Sequence, residues 1–279
     1  MLLKPGDRGP AVQALQRDLN KLGSMLLVDG DFGPATGDAI LDARNALKLP
    51  GQAEADDTLQ QTLQAIPDPF PAITAAGVTF IARAEVTSPR EYRRKYKNPI
   101  WPSAESGITI GIGYDLAFAG EAQLRQDWGD HLPPDVIGRL RPVLLKKGSA
   151  ELLAEVRDVE IPLVSAMHVF HHRTLPEFDR KMLAIYPEAK DLPPARRAAL
   201  MSLVYNRGNR LEDRNPDLQE RREMRKIREL LAAGEFDVVP EQLELMTRLW
   251  DPDRLAGLIR RRQDEARLWR SGFEALQLA

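Results

Sequence analysis

The hydrophobic positions of this chain fall into two regimes. Over most of its length apolar residues recur three and four apart, the spacing of one helix face. Val12, Leu15, Leu19 and Leu22 form one such stripe, and Ala39, Ile40, Ala43 and Leu47 a second. Further stripes predict a helix from Ile73 to Glu85, helices around 121–128 and 134–145, and one over 149–172 broken near Pro162. Others are expected from Pro194 to Tyr205, over 218–233 and over 254–270. One stretch departs from this regime. Ser106-Gly107-Ile108-Thr109-Ile110-Gly111-Ile112-Gly113-Tyr114-Asp115 alternates β-branched residues with glycines and polar groups at period two. That pattern predicts a short hairpin with room for a ligand close to its backbone. Strand content outside 105–118 is small, so the expected class is mainly α (α+β).

The first 66 residues contain an internal echo. Gly6-Asp7-Arg8-Gly9-Pro10-Ala11 returns as Gly30-Asp31-Phe32-Gly33-Pro34-Ala35, and each copy opens a helix with proline at its first position, where the missing N–H costs nothing. Asp56-Asp57-Thr58 is a capping cluster for a third helix. Residues 1–66 thus read as a three-helix module. Ile66-Pro67-Asp68-Pro69-Phe70-Pro71 reads as an extended, semi-rigid linker, with 67–73 separating the module from a second domain over 74–279.

Composition narrows the function. A chain of 279 residues with net charge −2 is not a generally basic nucleic-acid binder. It has no cysteine, which removes disulfides, thiol catalysis and cysteine-based zinc sites. The start Met1-Leu2-Leu3-Lys4-Pro5-Gly6 lacks the apolar core of a signal peptide, and no run approaches a membrane span. The expectation is a protein made in the bacterial cytoplasm without a signal peptide.

Three polar residues carry the candidate chemistry. Glu85 closes the apolar run Val78, Phe80, Ile81 and Ala84, where a carboxyl would be partly desolvated. Thr109 and Asp115 lie six positions apart, an even number, which in an unbroken strand puts both on one face. A protonated acid facing a second carboxylate and a hydroxyl is the equipment for cutting a glycosidic bond. The plainer readings are that Glu85 ends its helix and that Asp115 caps the next turn. Glu91 and Glu105 are competing acids in a charged loop where nothing would keep them protonated. Tyr92, Tyr96 and Trp101 stand among Arg90, Arg93, Arg94, Lys95 and Lys97, which suits stacking on an anionic glycan or, equally, ordinary packing. His168, His171 and His172 could gather imidazoles on one helix, but no H-E-x-x-H pattern is present, and no metal or other cofactor is expected. Leu116 occupies the third glycine position of a dinucleotide fingerprint, and no G-x-S-x-G elbow exists.

The Ser106–Asp115 stretch resembles the signature strand of the tailed-phage lysozymes, and with Tyr114-Asp115 after the last glycine it is most similar to the lysozyme domain of pesticin-type bacteriocins. The order Glu, Thr, Asp maps onto Glu85, Thr109 and Asp115, over a resemblance from about residue 74 to the end. It departs from the phage lysozymes in its longer loop and in having no clear aspartate before the threonine. The resemblance implies a lysozyme-like domain with a small β hairpin, in which Tyr114 adjoins the substrate. Val204-Tyr205-Asn206-Arg207-Gly208 resembles the end of the long cleft helix, implying that Tyr205 and Asn206 line the cleft. Gly257-Leu258-Ile259-Arg260-Arg261-Arg262-Gln263-Asp264-Glu265 resembles a late helix whose arginine, here Arg261, pairs with the catalytic Glu. Val28 through Thr36 resembles the turn of the peptidoglycan-binding module of cell-wall hydrolases, and Asp29, Asp31 and Phe32 are its candidate wall contacts; shaping turns is the alternative for each.

The expectation is a muramidase acting on periplasmic peptidoglycan at the β-1,4 bond between N-acetylmuramic acid and N-acetylglucosamine. Glu85 would protonate the leaving oxygen and Asp115 with Thr109 would deliver water, with inversion. The domain order and absent signal peptide resemble a monomeric phage endolysin released with a holin-type partner. An injected or secreted toxin with an immunity protein fits the same chemistry. The rivals are a lytic transglycosylase, a non-catalytic wall-binding protein, and a peptidoglycan amidase or peptidase.

Overall fold

The structure, a computed structural model, describes residues 1–102 and 106–273. It is mainly α-helical with one two-stranded antiparallel sheet among the described residues. No described helix is long and apolar enough to cross a membrane. The chain divides into two compact units, one of Met1–Leu22, Leu26–Ile81 and Glu177–Ala279, the other of Gly23–Met25 and Ala82–Pro176.

The first unit opens with α1 (Pro10–Lys21), α2 (Pro34–Leu47) and α3 (Asp57–Ala65). Pro10 and Pro34 stand at the helix starts, as the echo predicts, and Asp56 caps α3 by accepting from the Leu59 N–H. The stripes close on one core of Val12, Leu15, Leu19, Phe32, Ile40, Ala43, Leu59 and Leu63. The two echoing stretches pair with each other: Gly6 N–H donates to Phe32 O (3.1 Å), Phe32 N–H to Asp7 O (2.9 Å) and Gly9 N–H to Gly30 O (2.9 Å). Buried Arg44 gathers the connection into α3, donating to the carbonyls of Pro50, Gln52 and Glu54 and to the Asp56 carboxylate. The proline-rich stretch ends α3 as expected. It then departs from uniform extension: Phe70 O accepts from Ile73 and Thr74, and Asp68 accepts from Ala75 N–H (2.7 Å), so a side chain caps the next helix.

That helix is α4 (Thr74–Val86), with Val78, Ile81, Ala82 and Val86 buried. In the second unit a short α5 (Pro89–Glu91) runs into a π turn (Tyr92–Tyr96). The hairpin of β1 (Thr109–Ile110) and β2 (Tyr114–Asp115) follows. After it come α6 (Glu121–Trp128), α7 (Pro134–Leu140), α8 (Ala150–Val156) and α9 (Leu163–Val169), which passes through a π turn (Phe170–Thr174) into α10 (Leu175–Ile185).

The first unit resumes within α10 and continues with α11 (Pro194–Arg207), α12 (Arg222–Ala233), α13 (Val239–Leu245) and α14 (Pro252–Ser271). A buried polar cluster joins α11 to α14. Ser202 Oγ and an Arg262 N–H both donate to Glu265 Oε1 at 2.6 Å, and Arg261 donates to the hydroxyl and carbonyl of Ser202 at 3.1 Å. Complete burial raises the pKa of Glu265, opposed by both arginines.

Candidate active site

The hairpin owes its shape to two glycines. Gly111 (φ +60°) and Gly113 (φ +72°) bracket Ile112 in a turn that needs left-handed backbone twice. Gly111 also lies so close to Trp128 that a methyl group would sit 2.8 Å from its ring.

Thr109 stands directly opposite Asp115, and Ile110 opposite Tyr114. Thr109 uses its N–H and C=O outward, exchanging bonds with Ile100 at 2.8 and 3.0 Å, while Leu116 N–H donates to Ile108 O at 2.9 Å. Thr109 and Asp115 are therefore a non-hydrogen-bonded pair, the kind whose Cα atoms approach to about 4.5 Å and whose side chains lie closest. Thr109 is buried and Asp115 half-buried.

Asp115 also holds the local backbone. Its Oδ1 accepts from Ala117 N–H (2.9 Å), capping the 3₁₀ turn Leu116–Phe118, and from Gly107 N–H (3.1 Å), with Oδ2 3.2 Å from the same donor. The capping reading of Asp115 thus holds. It leaves the outer lone pairs of the carboxylate for a further donor. Gly107 is obligatory here, since a Cβ would lie 2.4 Å from Asp115 Oδ1 and 2.5 Å from Ala117 Cβ.

Glu85 is the penultimate residue of α4, half-buried, in the same unit as the hairpin. Glu91 is an ion-paired acid: Arg94 first and then Lys95 hold its pKa down to about 2. Glu105 lies outside the described residues.

The aromatic residues separate into groups. Tyr92 is corrected from a sugar contact to a core residue, because it is fully buried, donates to Ile161 O (3.0 Å) and has no free ring face. Burial pushes its pKa up. Tyr96 and Trp101 are half-buried, and the Trp101 indole packs against the Gly148 backbone. Tyr114 points to the hairpin face opposite Asp115, where its hydroxyl donates to Asp127 Oδ2 (2.8 Å) and its ring meets Trp128 edge-on at 5.5 Å. In the other unit, Tyr205 stacks on Phe178 at 4.3 Å, Asn206 is exposed, and Arg261 belongs to the Ser202–Glu265 cluster.

In the N-terminal module Asp29 and Asp31 are exposed on one turn. Asp29 accepts from Gln16 (2.8 Å) and Asp31 N–H (2.9 Å), and Asp31 pairs with Arg8 at 3.2 Å. Phe32 is corrected from wall contact to core: it is 2 % exposed, inside the helical cluster. The imidazoles of His131, His168 and His172 stack at 3.8 and 4.3 Å; among the described residues no group of three histidine or acidic side chains is placed to hold a metal ion. Cavities of about 530 Å³ beside Pro193 and 630 Å³ beside Trp250 lie in the first unit and contain none of the candidate catalytic residues.

Two groups escaped sequence reasoning. Gln16 is a buried amide that donates to Asp29 and Thr36 and accepts from Gly30 N–H, fixing the module's turn. Asp127 is a buried carboxylate that takes Tyr114, Gln123 and Arg173 as donors. Its only sequence signal is a charge next to a buried tryptophan.

Comparison with known proteins adds one assignment. Residues 8–65 match the family model described as "Putative peptidoglycan binding domain". No curated protein matches the chain. The crystal structure of a Burkholderia AP3 phage endolysin aligns over 96% of this chain and 100% of that one, at 18% identity and a TM-score of 0.23, a likeness too weak to assign a fold. The three helices and paired glycine turns at the N-terminus are thus the stretch of the chain that is similar to a peptidoglycan-binding domain.

Proposed function

We propose that this protein is a peptidoglycan hydrolase of the muramidase type, with residues 1–66 as wall-binding module and 74–279 as catalytic domain. The observation that carries the reading is the close pairing of Thr109 with Asp115 in the unit that also holds Glu85. The family match at residues 8–65 supports peptidoglycan as the polymer engaged.

Glu85 donates its proton to the glycosidic oxygen as the bond to the anomeric carbon breaks. Thr109 orients a water on the opposite face of the sugar and Asp115 takes a proton from it as its oxygen bonds to that carbon, inverting the configuration. Asp115 is suited to this because Gly107 and Ala117 fix one edge of its carboxylate and leave the other for water. Tyr96 and Trp101 offer half-buried rings to neighbouring sugars. In a phage endolysin this activity would serve host lysis, with a holin-type partner giving access to the periplasmic wall; in an injected toxin, an immunity protein would block the same residues.

The test is turbidity loss of purified Gram-negative cell walls, comparing wild type with Glu85→Gln, which keeps the shape and removes the proton. Loss of clearing together with free reducing ends in the wild-type digest is expected. Full clearing by Glu85→Gln refutes the acid, and 1,6-anhydro ends in the wild-type products refute hydrolysis.

A further inference from the structure

We propose that Asp127 is a positioning residue for this reaction, holding the hairpin from behind through the Tyr114 hydroxyl so that Thr109 and Asp115 stay opposed in front. The inference rests on the muramidase reading above.

Alternation along β1 and β2 sorts the hairpin into two faces, Thr109 and Asp115 on one and Ile110 and Tyr114 on the other. A slip of one residue would exchange them. With two residues in each strand, the ladder supplies little resistance to such a slip. The rear face compensates. The Trp128 ring lies against the Gly111 backbone and the edge of Tyr114, but these apolar contacts are not directional. The hydrogen bond from Tyr114 to Asp127 is directional.

Asp127 is built as a rigid acceptor. It sits in the last turn of α6 with its side chain 4 % exposed. Gln123, one turn back, donates to both of its oxygens at 2.8 Å, and Arg173 from the π turn after α9 donates to Oδ1. The guanidinium pairs with the carboxylate, and charge-assisted hydrogen bonds of this kind are strong and hold the acceptor in place for Tyr114. Two helical elements thus converge on one atom group whose remaining partner is the residue next to Asp115.

The test uses the full chain on solubilised murein glycan strands, with kcat, KM and Tm measured for Tyr114→Phe, Asp127→Ala, Asp127→Asn and the Tyr114→Phe/Asp127→Ala double variant, alongside Glu85→Gln. Tyr114→Phe, which removes one oxygen, is expected to lower kcat about tenfold with KM within about twofold, because a displaced catalytic pair costs rate rather than binding. The double variant should lose no more than Asp127→Ala alone, since both act through one bond. Asp127→Asn, which keeps an acceptor oxygen, should recover part of the loss. Unchanged kcat in Tyr114→Phe overturns the proposal while leaving the muramidase reading intact, provided Glu85→Gln is inactive. Additive losses in the double variant also overturn it. Full activity in Glu85→Gln overturns both. If Asp127→Ala does not fold, Tyr114→Phe decides alone.

Discussion

Gly107→Ala probes the front of the hairpin. An added methyl would lie 2.4 Å from Asp115 Oδ1, 2.5 Å from Ala117 Cβ and 2.7 Å from Ala117 N, where ordinary contact begins near 3.4 Å. Two of the three obstacles are backbone or Cβ atoms, so no flexible side-chain end can yield. Relief requires moving Gly107 away from the carboxylate, which breaks the bonds at 3.1 and 3.2 Å and weakens the cap on Ala117. Overpacking of this kind costs about 1–3 kcal/mol and a lost cap about 1 kcal/mol, so a destabilisation of about 2–4 kcal/mol is expected. Activity should fall further than stability, because the displaced carboxylate is the proposed water-activating group. Urea unfolding followed by fluorescence gives the first quantity, and wall clearing well below the unfolding midpoint gives the second. A Gly107→Ala protein with wild-type stability and wild-type clearing would refute both the crowding at Gly107 and the role of Asp115.

Asp115→Asn retains an acceptor for the cap, so it should keep Tm within about 2 °C while losing at least about a hundredfold in rate; Asp115→Ala should lose both, and clearing by the Asn variant at near-normal rate would reduce Asp115 to a cap. Arg44→Met strips three carbonyls and Asp56 of their shared donor and should destabilise the N-terminal module by about 3 kcal/mol, read as a lowered first transition in calorimetry and weakened co-sedimentation with walls. His171 is driven down to about 3, first by burial and then by His172 and His168, from an ordinary 6.5. Its neutral form therefore stabilises the fold fully above pH 6.5, and that contribution is lost as pH falls from 6.5 toward 3, at up to about 1.4 kcal/mol per unit. His171→Leu should flatten this acid limb in a Tm-versus-pH series. Tyr92→Phe should cost about 1 kcal/mol through the lost bond to Ile161 O and leave KM unchanged; a raised KM would return Tyr92 to the sugar-binding set.

Periodicity made the helices legible wherever one face meets a core, as in α1, α4, α6 and α11. It missed α10 and α13, neither of which the stripes predict: Pro240 lies in the first turn of α13, a position that needs no proline N–H, whereas Pro176 lies inside the helical run that continues from α9. The wide π turn Phe170–Thr174 directly before α10 eases that junction. At the site, parity along an unbroken strand was the wrong premise, since the chain turns at Gly111–Gly113; Thr109 and Asp115 share a face because they are directly opposed cross-strand partners. Tyr92 was misassigned because an aromatic beside charged residues looks the same in sequence whether its ring meets solvent or core, and Phe32 because a resemblance at a turn does not say which of its side chains fills the core. Gln16 and Asp127 were invisible because most of the partners that define these buried polar groups lie 13 to 46 positions away.

A hairpin with two paired residues in each strand borrows its form from the helices around it. Transplanting Ser106–Asp115 alone into another helical protein would move Thr109 and Asp115 and leave their foundation behind. The smallest graft expected to keep its geometry carries α6 and the Phe170–Thr174 turn along with it, so the hairpin together with its supports is discontinuous in sequence and more than twice as long as the motif that announces it.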